Sequence, residues 1–454
     1  MPIPDRTTDG DYHYHVYDYI GSQPFQPSAA QPRRGNTRFF SLVADLNGLV
    51  QEGQQVPNIA LTNAGGAAIT DDGVARYTKA LSFGAVAHGT PEIVITGGIH
   101  AREWIASEMA YLLAEYLIKN YPDPQTPDLN LSRYQLRIRR IINGRRIHII
   151  PMLNPAGNRY SVFSPDDGAR LWRRNRHPLP TTALGWSQAL TTPLGGPVPP
   201  FQNVQTNNNV TSYQVPRYLA AATLDTINLP NAPPAITGVD LNRNLGTNAY
   251  GHNCAPSFRN GTPGQDVYFG PGAASEVETQ NLQAFLAPKN VETSIDYHSY
   301  GQYILYPSEL SNTGAVTANF INLGKVLQRL IAGSWSWPWS YDYSLGPART
   351  LVGYDATGTV DDYIGQQHGS RSFTIELDPT SGVFSSEFEL PESKIRTVFE
   401  KNIRGALGLM TAAGQQSALA TTTSCCCFKR QTISSNERVL VDWNVYGRGN
   451  LLPV

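Results

Sequence analysis

His100 and Glu103 have the residue types and the spacing that could hold a metal ion. They lie in the segment EIVITGGIHAREWI, where a short apolar run ends in two glycines and a helical pattern follows. This change of period predicts a strand-to-helix junction, and ligands bind at the carboxyl ends of strands in open α/β sheets. The pair could bind a metal, or it could be a buried polar pair that caps the helix.

A second histidine strengthens the metal interpretation. His298 lies in IDYHSYGQ, at the predicted end of another apolar strand. Alone, it would be more typical of a hydrogen-bonded histidine in the core. Two histidines and a glutamate, with a fourth position open to water, form a ligand set of catalytic zinc hydrolases. Together the three residues indicate a catalytic zinc site.

Predicted strands and helices alternate along the chain, which is the pattern of an α/β domain. Strands are predicted in VARYTKALSFGAV and PEIVITGGIH, which we expect to be neighbours, and in GRRIHIIPM, VETSIDYHSYGQYILYP and SRSFTIELD. Helices are predicted from about Arg102 and in TRFFSLVADLNGLVQEG (with Phe40 on its apolar face), ASEVETQNLQAFLA and PESKIRTVFEKNIRGALGLMTAA. We expect a central mixed, mostly parallel sheet flanked by helices on both faces.

Composition excludes several classes of function. The 454 residues have a net charge of −1, so bulk electrostatics does not favour binding to nucleic acid or to an anionic membrane. Only 16% of residues are charged, while glycine (40) and proline (33) are abundant, which is typical of a loop-rich globular enzyme. No apolar run approaches the roughly 20 residues that span a bilayer.

The chain resembles the zinc-dependent carboxypeptidases of peptidase family M14, of the pancreatic A/B type. The resemblance rests on six motifs in the family's order: GGIHAREWI, LWRRNR, GVDLNRN, IDYHSYGQYILYP, YDATGTVDDY and SFTIELD. They cover about residues 92–378, and a following helix extends the similarity to about residue 413. The resemblance implies a metallocarboxypeptidase that cleaves C-terminal peptide bonds.

The resemblance implies that His100, Glu103 and His298 bind one Zn²⁺ and that Glu376, in SFTIELD, is the general base. Apolar neighbours on the predicted strand would desolvate this carboxylate and raise its pKa, which suits a proton acceptor. The alternative is a carboxylate in a salt bridge at the end of a strand.

The resemblance assigns stabilisation of the reaction's oxyanion to Arg173, in ARLWRRNR. Arg170, Arg174 and Arg176 crowd the same stretch, so the neighbouring arginine could be the functional one. Taken without the other motifs, the stretch would be interpreted as a solvated basic run.

Further matched residues would bind the substrate. Arginine suits a free C-terminal carboxylate because its planar fork binds both oxygens. By resemblance, Asn242 and Arg243 take this role, the mobile Tyr354 covers the substrate terminus, and Arg102 lies further along the cleft. Tyr300 is also assigned to substrate binding.

Asp361 predicts specificity for C-terminal Lys or Arg. In YDATGTVDDY it occupies the position where the family holds aspartate in enzymes that prefer basic residues and an apolar residue in the others. A carboxylate in an apolar slot pairs with a cation and disfavours neutral side chains. The alternative is that Asp361 or Asp362 caps the following helix, and Asp362 is the preferred structural carboxylate.

The predicted domain organisation has a central catalytic unit. Residues 1–35 form an N-terminal extension, residues 36–413 the catalytic domain, and residues 414–454 a flexible C-terminal tail. An insertion rich in Pro, Asn and Thr occupies residues 177–235.

Cysteines and the N-terminus give little. The family's disulfide near GVDLNRN is absent because Cys254 lacks a local partner, and Cys425, Cys426 and Cys427 lie in the tail. No inhibitory pro-domain or Sec signal peptide is recognised, which leaves the compartment open. In DYHYHVY, His13 and His15 could suggest a second metal site, although a surface aromatic cluster is the preferred interpretation.

Two other functions remain open. One is a different hydrolase on the same scaffold, such as a deacylase or a cytosolic deglutamylase, although a deglutamylase should place a cation where Asp361 stands. The other is a non-catalytic peptide-binding module, which would be marked by loss of Glu376 or of a zinc ligand. We expect a monomer that acts on the C-termini of peptides or proteins.

Overall fold

A computed structural model describes residues 12–17, 39–69, 74–164, 168–177, 238–248, 250, 266–312, 314–332, 342–379, 388 and 390–415. Nearly all of the predicted insertion, all four cysteines and most of the predicted tail lie outside these ranges. Twelve strands occur in the described residues: β1 (Tyr14–Val16), β2 (Phe39–Ser41), β3 (Ala60–Asn63), β4 (Ala68–Ile69), β5 (Ala75–Arg76), β6 (Lys79–Gly84), β7 (Glu92–Thr96), β8 (Arg146–Ile150), β9 (Val291–Ser299), β10 (Tyr303–Tyr306), β11 (Ser344–Pro347) and β12 (Arg371–Leu377).

Helices cover both faces of the main sheet, and the described residues contain ten of them besides short 3₁₀ turns. These are α1 (Leu42–Glu52), α2 (Trp104–Lys119), α3 (Arg133–Gly144), α4 (Pro155–Phe163), α5 (Val277–Leu286), α6 (Ser308–Asn312), α7 (Ala318–Ala332), α8 (Ala348–Leu351), α9 (Val360–His368) and α10 (Glu392–Ala412). Among the described residues, no helix is long and apolar enough to cross a membrane.

Eight strands form one mixed sheet in the order β11-β10-β12-β9-β7-β8-β6-β3. The four central strands, β12, β9, β7 and β8, are mutually parallel, while β10, β6 and β3 join by antiparallel pairs. The predicted α/β architecture with a mixed, mostly parallel sheet is confirmed. Parallel neighbours place the carboxyl ends of β7, β9 and β12 along one edge of the sheet.

Two details of strand pairing differ from the prediction. β6 and β7 are not neighbours, because β8 lies between them. Hydrogen bonds cross all three strands there: His148 on β8 contacts the hydroxyl of Ser82 at 2.7 Å and the carboxylate of Glu92 at 2.6 Å. The segment predicted as a single strand from residue 291 forms β9 and β10, since a turn through Gly301 and Gln302, both with positive φ, separates them.

The alternation of side chains along the strands divides the core in two. On β7, Ile93 and Ile95 pack in the cluster that contains α2, α7 and α10, whereas Val94 packs in the cluster that contains α5 and α9. This period of two is the geometry of a strand that is buried on both faces. The sheet is therefore covered on both sides, and its carboxyl edge is held between two packed layers.

The N-terminal segment packs against the core, which corrects the interpretation of DYHYHVY as a surface aromatic cluster. β1 pairs in parallel with β2, and Tyr14 and Val16 are buried on one side of it. His15 is buried too, and its two ring nitrogens lie within hydrogen-bond distance of Asp45 on α1 and Glu108 on α2. Phe40 lies on β2 rather than on the predicted helix, which begins at Leu42.

Candidate active site

The carboxyl edge of the parallel strands brings the predicted site residues together. His100 follows β7 by four residues, His298 is the penultimate residue of β9, and Glu376 is the penultimate residue of β12. β12 and β9 are in a register that pairs Glu376 directly with His298. Residues that are 276 positions apart in sequence thus meet because adjacent parallel strands end at the same level.

The three predicted ligands converge on one point. Nδ1 of His100 lies 2.8 Å from Oε1 of Glu103, and Nδ1 of His298 lies 3.0 Å from Oε2 of the same carboxylate. The two Nδ1 atoms are 3.1 Å apart. Glu103 holds the N-cap position of α2, yet its side chain makes no cap hydrogen bond. The capping interpretation therefore does not account for this carboxylate, whereas a shared ligand position does.

Two further carboxylates, which the sequence analysis did not identify, hold the outer nitrogens of the histidines. Asp296 Oδ2 lies 2.7 Å from Nε2 of His298, and Asp240 Oδ1 lies 3.2 Å from Nε2 of His100. Such pairs fix the ring orientation and leave Nδ1 to face the ligand position. Asp296 precedes His298 by two residues on a strand, so the period of two could have identified it.

Burial and mutual charge set the protonation of this cluster. Burial would raise the pKa of Glu103, but His100 and His298 outweigh it and hold the pKa well below its usual value. Burial would lower the pKa of His298, but Asp296 and Glu103 raise it well above the usual value. Burial and then Arg173 lower the pKa of His100.

These donors fit a zinc ion. Two imidazole nitrogens and one carboxylate are the ligand set of a zinc site with an open fourth position. All three ligand atoms lie within 4.8 Å of one another, and all three residues are buried. The structure therefore provides a preformed pocket of the right chemistry at His100, Glu103 and His298.

Arg173 extends this cluster towards the cleft. Its Nε donates a 2.8 Å hydrogen bond to Asp240, and its Nη1 lies 3.8 Å from Glu103. Of the four crowded arginines, Arg173 is the one that lines the cavity at the ligand position. Arg170 instead lies over the ring of Trp104, 3.5 Å from its centroid.

One cavity collects most of the predicted substrate-binding residues. Its walls include both predicted ligand histidines, Arg173, Asn242, Arg243, Tyr354, Asp361 and Glu376. Arg243 donates to the Tyr354 hydroxyl at 3.4 Å, so the arginine predicted to bind the substrate carboxylate is in contact with the tyrosine predicted to cover it. Asn242 is buried, and its Oδ1 already accepts a 2.9 Å hydrogen bond from Val360 N. Its side chain is therefore a structural support as well as part of the wall.

Arg102 and Tyr300 do not line this cavity. Arg102 donates to Asp266 at 3.0 Å and lies over the ring of Phe388, 4.4 Å from its centroid. Tyr300 packs edge-on against the same ring, with the centroids 4.9 Å apart. The structure places these two residues together around Phe388, outside the cavity that the other predicted residues share.

The two adjacent aspartates have different surroundings. Asp361 lines the cavity, and burial raises its pKa to about 6. Asp362 instead connects two helices: it accepts from the hydroxyl of Thr359, the N-cap of α9, at 3.0 Å and from Glu309 N of α6 at 3.0 Å. The contacts of Asp362 are those of a structural carboxylate, while Asp361 faces the space where a ligand would lie.

Glu376 has the environment of a proton acceptor. Burial raises its pKa to about 8, which the charge of His298 opposes. Within the described residues its Oε2 is buried and makes no hydrogen bond. A desolvated carboxylate with an unused oxygen, at the cavity wall beside a ligand histidine, can take up or release a proton near neutral pH.

Comparison with known proteins identifies the family. The sequence profile of the zinc carboxypeptidases, peptidase family M14, matches residues 74–405. The chain belongs to the zinc carboxypeptidase family. It is 24% identical to metallocarboxypeptidase A of Trichophyton rubrum over 72% of this chain and 60% of that protein. It is 25% identical to human carboxypeptidase B over 76% of this chain and 64% of that protein. The chain thus spans less than two thirds of the length of these relatives.

Solved structures agree on the fold. The chain is similar to thrombin activatable fibrinolysis inhibitor with a TM-score of 0.57 at 18% identity, over 83% of this chain and 73% of that one. It is similar to carboxypeptidase A of Helicoverpa armigera with a TM-score of 0.54 at 21% identity, with the same coverage. These similarities support the α/β architecture with a mixed sheet.

Asp296→Asn should weaken zinc binding by about 10- to 100-fold, because it removes the charge that orients His298 and makes its imidazole a better ligand. Zinc affinity, measured by competition with a chromogenic chelator, tests this. Asp123→Asn, on an exposed loop, is the matched control and should leave the affinity unchanged. An affinity equal to wild type in Asp296→Asn would show that Asp296 does not support the ligand.

Proposed function

We propose that the protein is a zinc-dependent carboxypeptidase that removes C-terminal residues, with preference for Lys and Arg. The observation that carries the proposal is one cavity. It joins the two ligand histidines to a buried guanidinium, Arg243, and to two carboxylates of raised pKa, Glu376 and Asp361. An exopeptidase with basic specificity needs metal ligands, a proton acceptor, a cation that binds the terminal carboxylate, and a pocket for the side chain.

Each side chain has a role that its position supports. Arg243 pairs with the free carboxylate of the substrate. Tyr354, which contacts Arg243, closes over that carboxylate. His100, Glu103 and His298 would hold the zinc ion, which would supply Lewis-acid chemistry to polarise the scissile carbonyl and make water a stronger nucleophile. Glu376 accepts the proton of the attacking water. Arg173 stabilises the negative charge that develops on the carbonyl oxygen.

Specificity follows from the sign of the pocket charge. Asp361 becomes fully ionised when a lysine or arginine side chain enters, because the cation offsets the desolvation that raises its pKa. A phenylalanine side chain would leave a desolvated carboxylate without a partner, and this disfavours binding. A deglutamylase would need a cation at this position, so Asp361 argues against that function. Every zinc ligand and Glu376 is present, which argues against a non-catalytic module.

The proposal predicts a specific pattern of peptide cleavage. Three peptides that differ only in a C-terminal Arg, Phe or Glu should be cleaved in the order Arg, then Phe, then Glu, and a zinc chelator should abolish release. Amidated versions should be poor substrates, because they lack the charge that Arg243 binds. Release is measured by amino-acid analysis. Equal rates on free and amidated peptides would instead indicate an endopeptidase or an amidase.

Glu376→Gln should lower kcat by about 10²–10⁴-fold, because it removes a general base and changes little volume. Zinc content and thermal stability should stay close to wild type. The measurement is peptide turnover at saturating substrate, with zinc content determined in parallel. Glu400→Gln, an exposed position on α10, is the control. A Glu376→Gln enzyme within a few-fold of wild type would assign the base to another residue.

Asp361→Asn should reduce the preference for Arg over Phe by about 10- to 100-fold, since a charge-assisted hydrogen bond contributes about 1.5–3 kcal/mol. In the wild type the preference should rise between about pH 5 and about pH 7, because the pKa of Asp361 is raised to about 6 and the protonated form does not attract a cation. In Asp361→Asn the preference should be flat across this range. The measurement is kcat/KM for the two peptides.

The adjacent change Asp362→Asn serves as the control for Asp361→Asn. It alters the same chemical group one residue away, outside the cavity wall, and should keep the preference for Arg. If Asp362→Asn abolished the preference and Asp361→Asn did not, the assignment of the pocket carboxylate would be wrong and the carboxypeptidase assignment would stand.

A further inference from the structure

A second group of potential metal ligands lies at the N-terminal strand, away from the residues of the cleft. His15 lies in β1, and His13, two residues earlier, directly precedes this strand. Their ring centroids are 5.2 Å apart. Asp45, in the first turn of α1, faces them. One ligand atom from each of the three residues lies within 4.8 Å of the other two.

The surroundings orient His15 as a ligand would be oriented. Nε2 of His15 lies 2.9 Å from Oδ2 of Asp45, and Nδ1 lies 2.8 Å from Oε2 of Glu108. Glu108 is a fully buried residue of α2. A buried carboxylate on the far nitrogen of an imidazole is the arrangement that supports metal-binding histidines. His298 and Asp296 show the same arrangement at the cleft.

Packing restricts the other members of the group. The ring of His13 stands against Phe40, with centroids 3.6 Å apart, and the ring of His15 stands against Tyr111 at 4.1 Å. The side chain of Asp45 is 38% exposed, while that of His15 is fully buried. An ion could therefore enter from the partly exposed side of Asp45. The imidazole rings of His13 and His15 are already held in place there by packing.

We propose that His13, His15 and Asp45 bind a second metal ion, a divalent transition metal of the class that imidazole nitrogen and carboxylate oxygen prefer, such as Zn²⁺ or Cu²⁺. Glu108 positions His15 and does not itself bind the ion. The ion would tie β1 and α1 to α2, and α2 begins directly after Glu103. The site is thus a structural one that fixes the helix adjacent to the cleft, and it does not depend on the proposed peptidase activity.

The competing explanation is a purely ionic contact, in which a protonated His15 bridges Asp45 and Glu108 and no metal binds. Both explanations use the same carboxylates. They differ in the number of zinc ions that the protein retains after equilibration with Zn²⁺ and dialysis. In the ionic contact His13 has no part, whereas in the metal site its loss removes a ligand.

Zinc stoichiometry tests the proposal. The full chain is equilibrated with Zn²⁺, dialysed, and analysed by mass spectrometry of the metal. We expect two ions per wild-type chain, and one ion per chain in His13→Asn and in Asp45→Asn. His88→Asn, at an exposed histidine, and Glu52→Gln, on the same helix as Asp45, are matched controls and should keep two. His100→Asn should lose the other ion and keep this one.

Two outcomes would overturn the proposal: a His100→Asn chain that holds no ion, or His13→Asn and Asp45→Asn chains that hold as many ions as the wild type. If these variants do not fold, Cu²⁺ added to the His100→Asn protein provides a separate measurement by electron paramagnetic resonance. Coupling to two imidazole nitrogens is expected. Coordination by oxygen alone, or no bound copper, contradicts the proposal.

Discussion

The site depends on pairing a group of buried positive and negative charges that water cannot reach. Three buried carboxylates, Glu103, Asp240 and Asp296, lie beside the guanidinium of Arg173, and the charge of the buried Arg243 also acts on Asp240. Buried charge is stable only when it is paired, and an uncompensated ion costs several kcal/mol. With neutral histidines the three carboxylates outnumber the two guanidinium groups, so a cation bound by His100, Glu103 and His298 would offset the remaining negative charge. The composition of the group therefore favours a bound cation independently of the geometry of its ligands.

This balance explains why so many elements end at the same place. Glu103 comes from the start of α2, Asp296 from β9, and Asp240 from the turn that precedes the 3₁₀ segment at Asn242. Each of them is needed to pair charges that another element supplies. The parallel order of β7, β9 and β12 provides the common edge, and the helices on both faces exclude water from it.

The features of the site that could be predicted are those with a signal in a short stretch of sequence. His100 and His298 could be found because each lies at the end of an apolar predicted strand, and Glu103 because it lies where the helical pattern begins. The α/β class followed from the alternation of predicted strands and helices. Arg173 and Arg243 needed the order of several motifs, since an arginine in a basic run has no local signature. The roles of all these residues stay predictions until they are measured.

Other features could not be found because they depend on contacts between distant segments. The position of β8 between β6 and β7 depends on pairing across more than 50 residues, and no turn signal encodes it. His15 contacts Glu108, 93 residues away in the sequence. The aromatic segment alone is equally compatible with a buried and with an exposed position. The support of His100 by Asp240 spans 140 residues.

The two halves of the cavity are joined by close backbone contacts. Gly358 precedes the helix that carries Asp361, and it has φ +69. A Cβ there would lie 2.5 Å from the carbonyl oxygen of Arg243, so only glycine permits this approach. Asn242 makes the second connection, because its Oδ1 accepts from Val360 N while its Nδ2 lies 3.2 Å from Nε2 of His298.

A shift of the Gly358 turn would therefore move Asp361, Arg243 and His298 together. In the proposed function the site holds a chain terminus, a side chain and a scissile bond at once, and such coupling would fix the distances between the three. It also limits how the pocket can change: a substitution at Asp361 alters charge without moving backbone, whereas one at Gly358 or Asn242 alters the spacing on which binding and chemistry both depend.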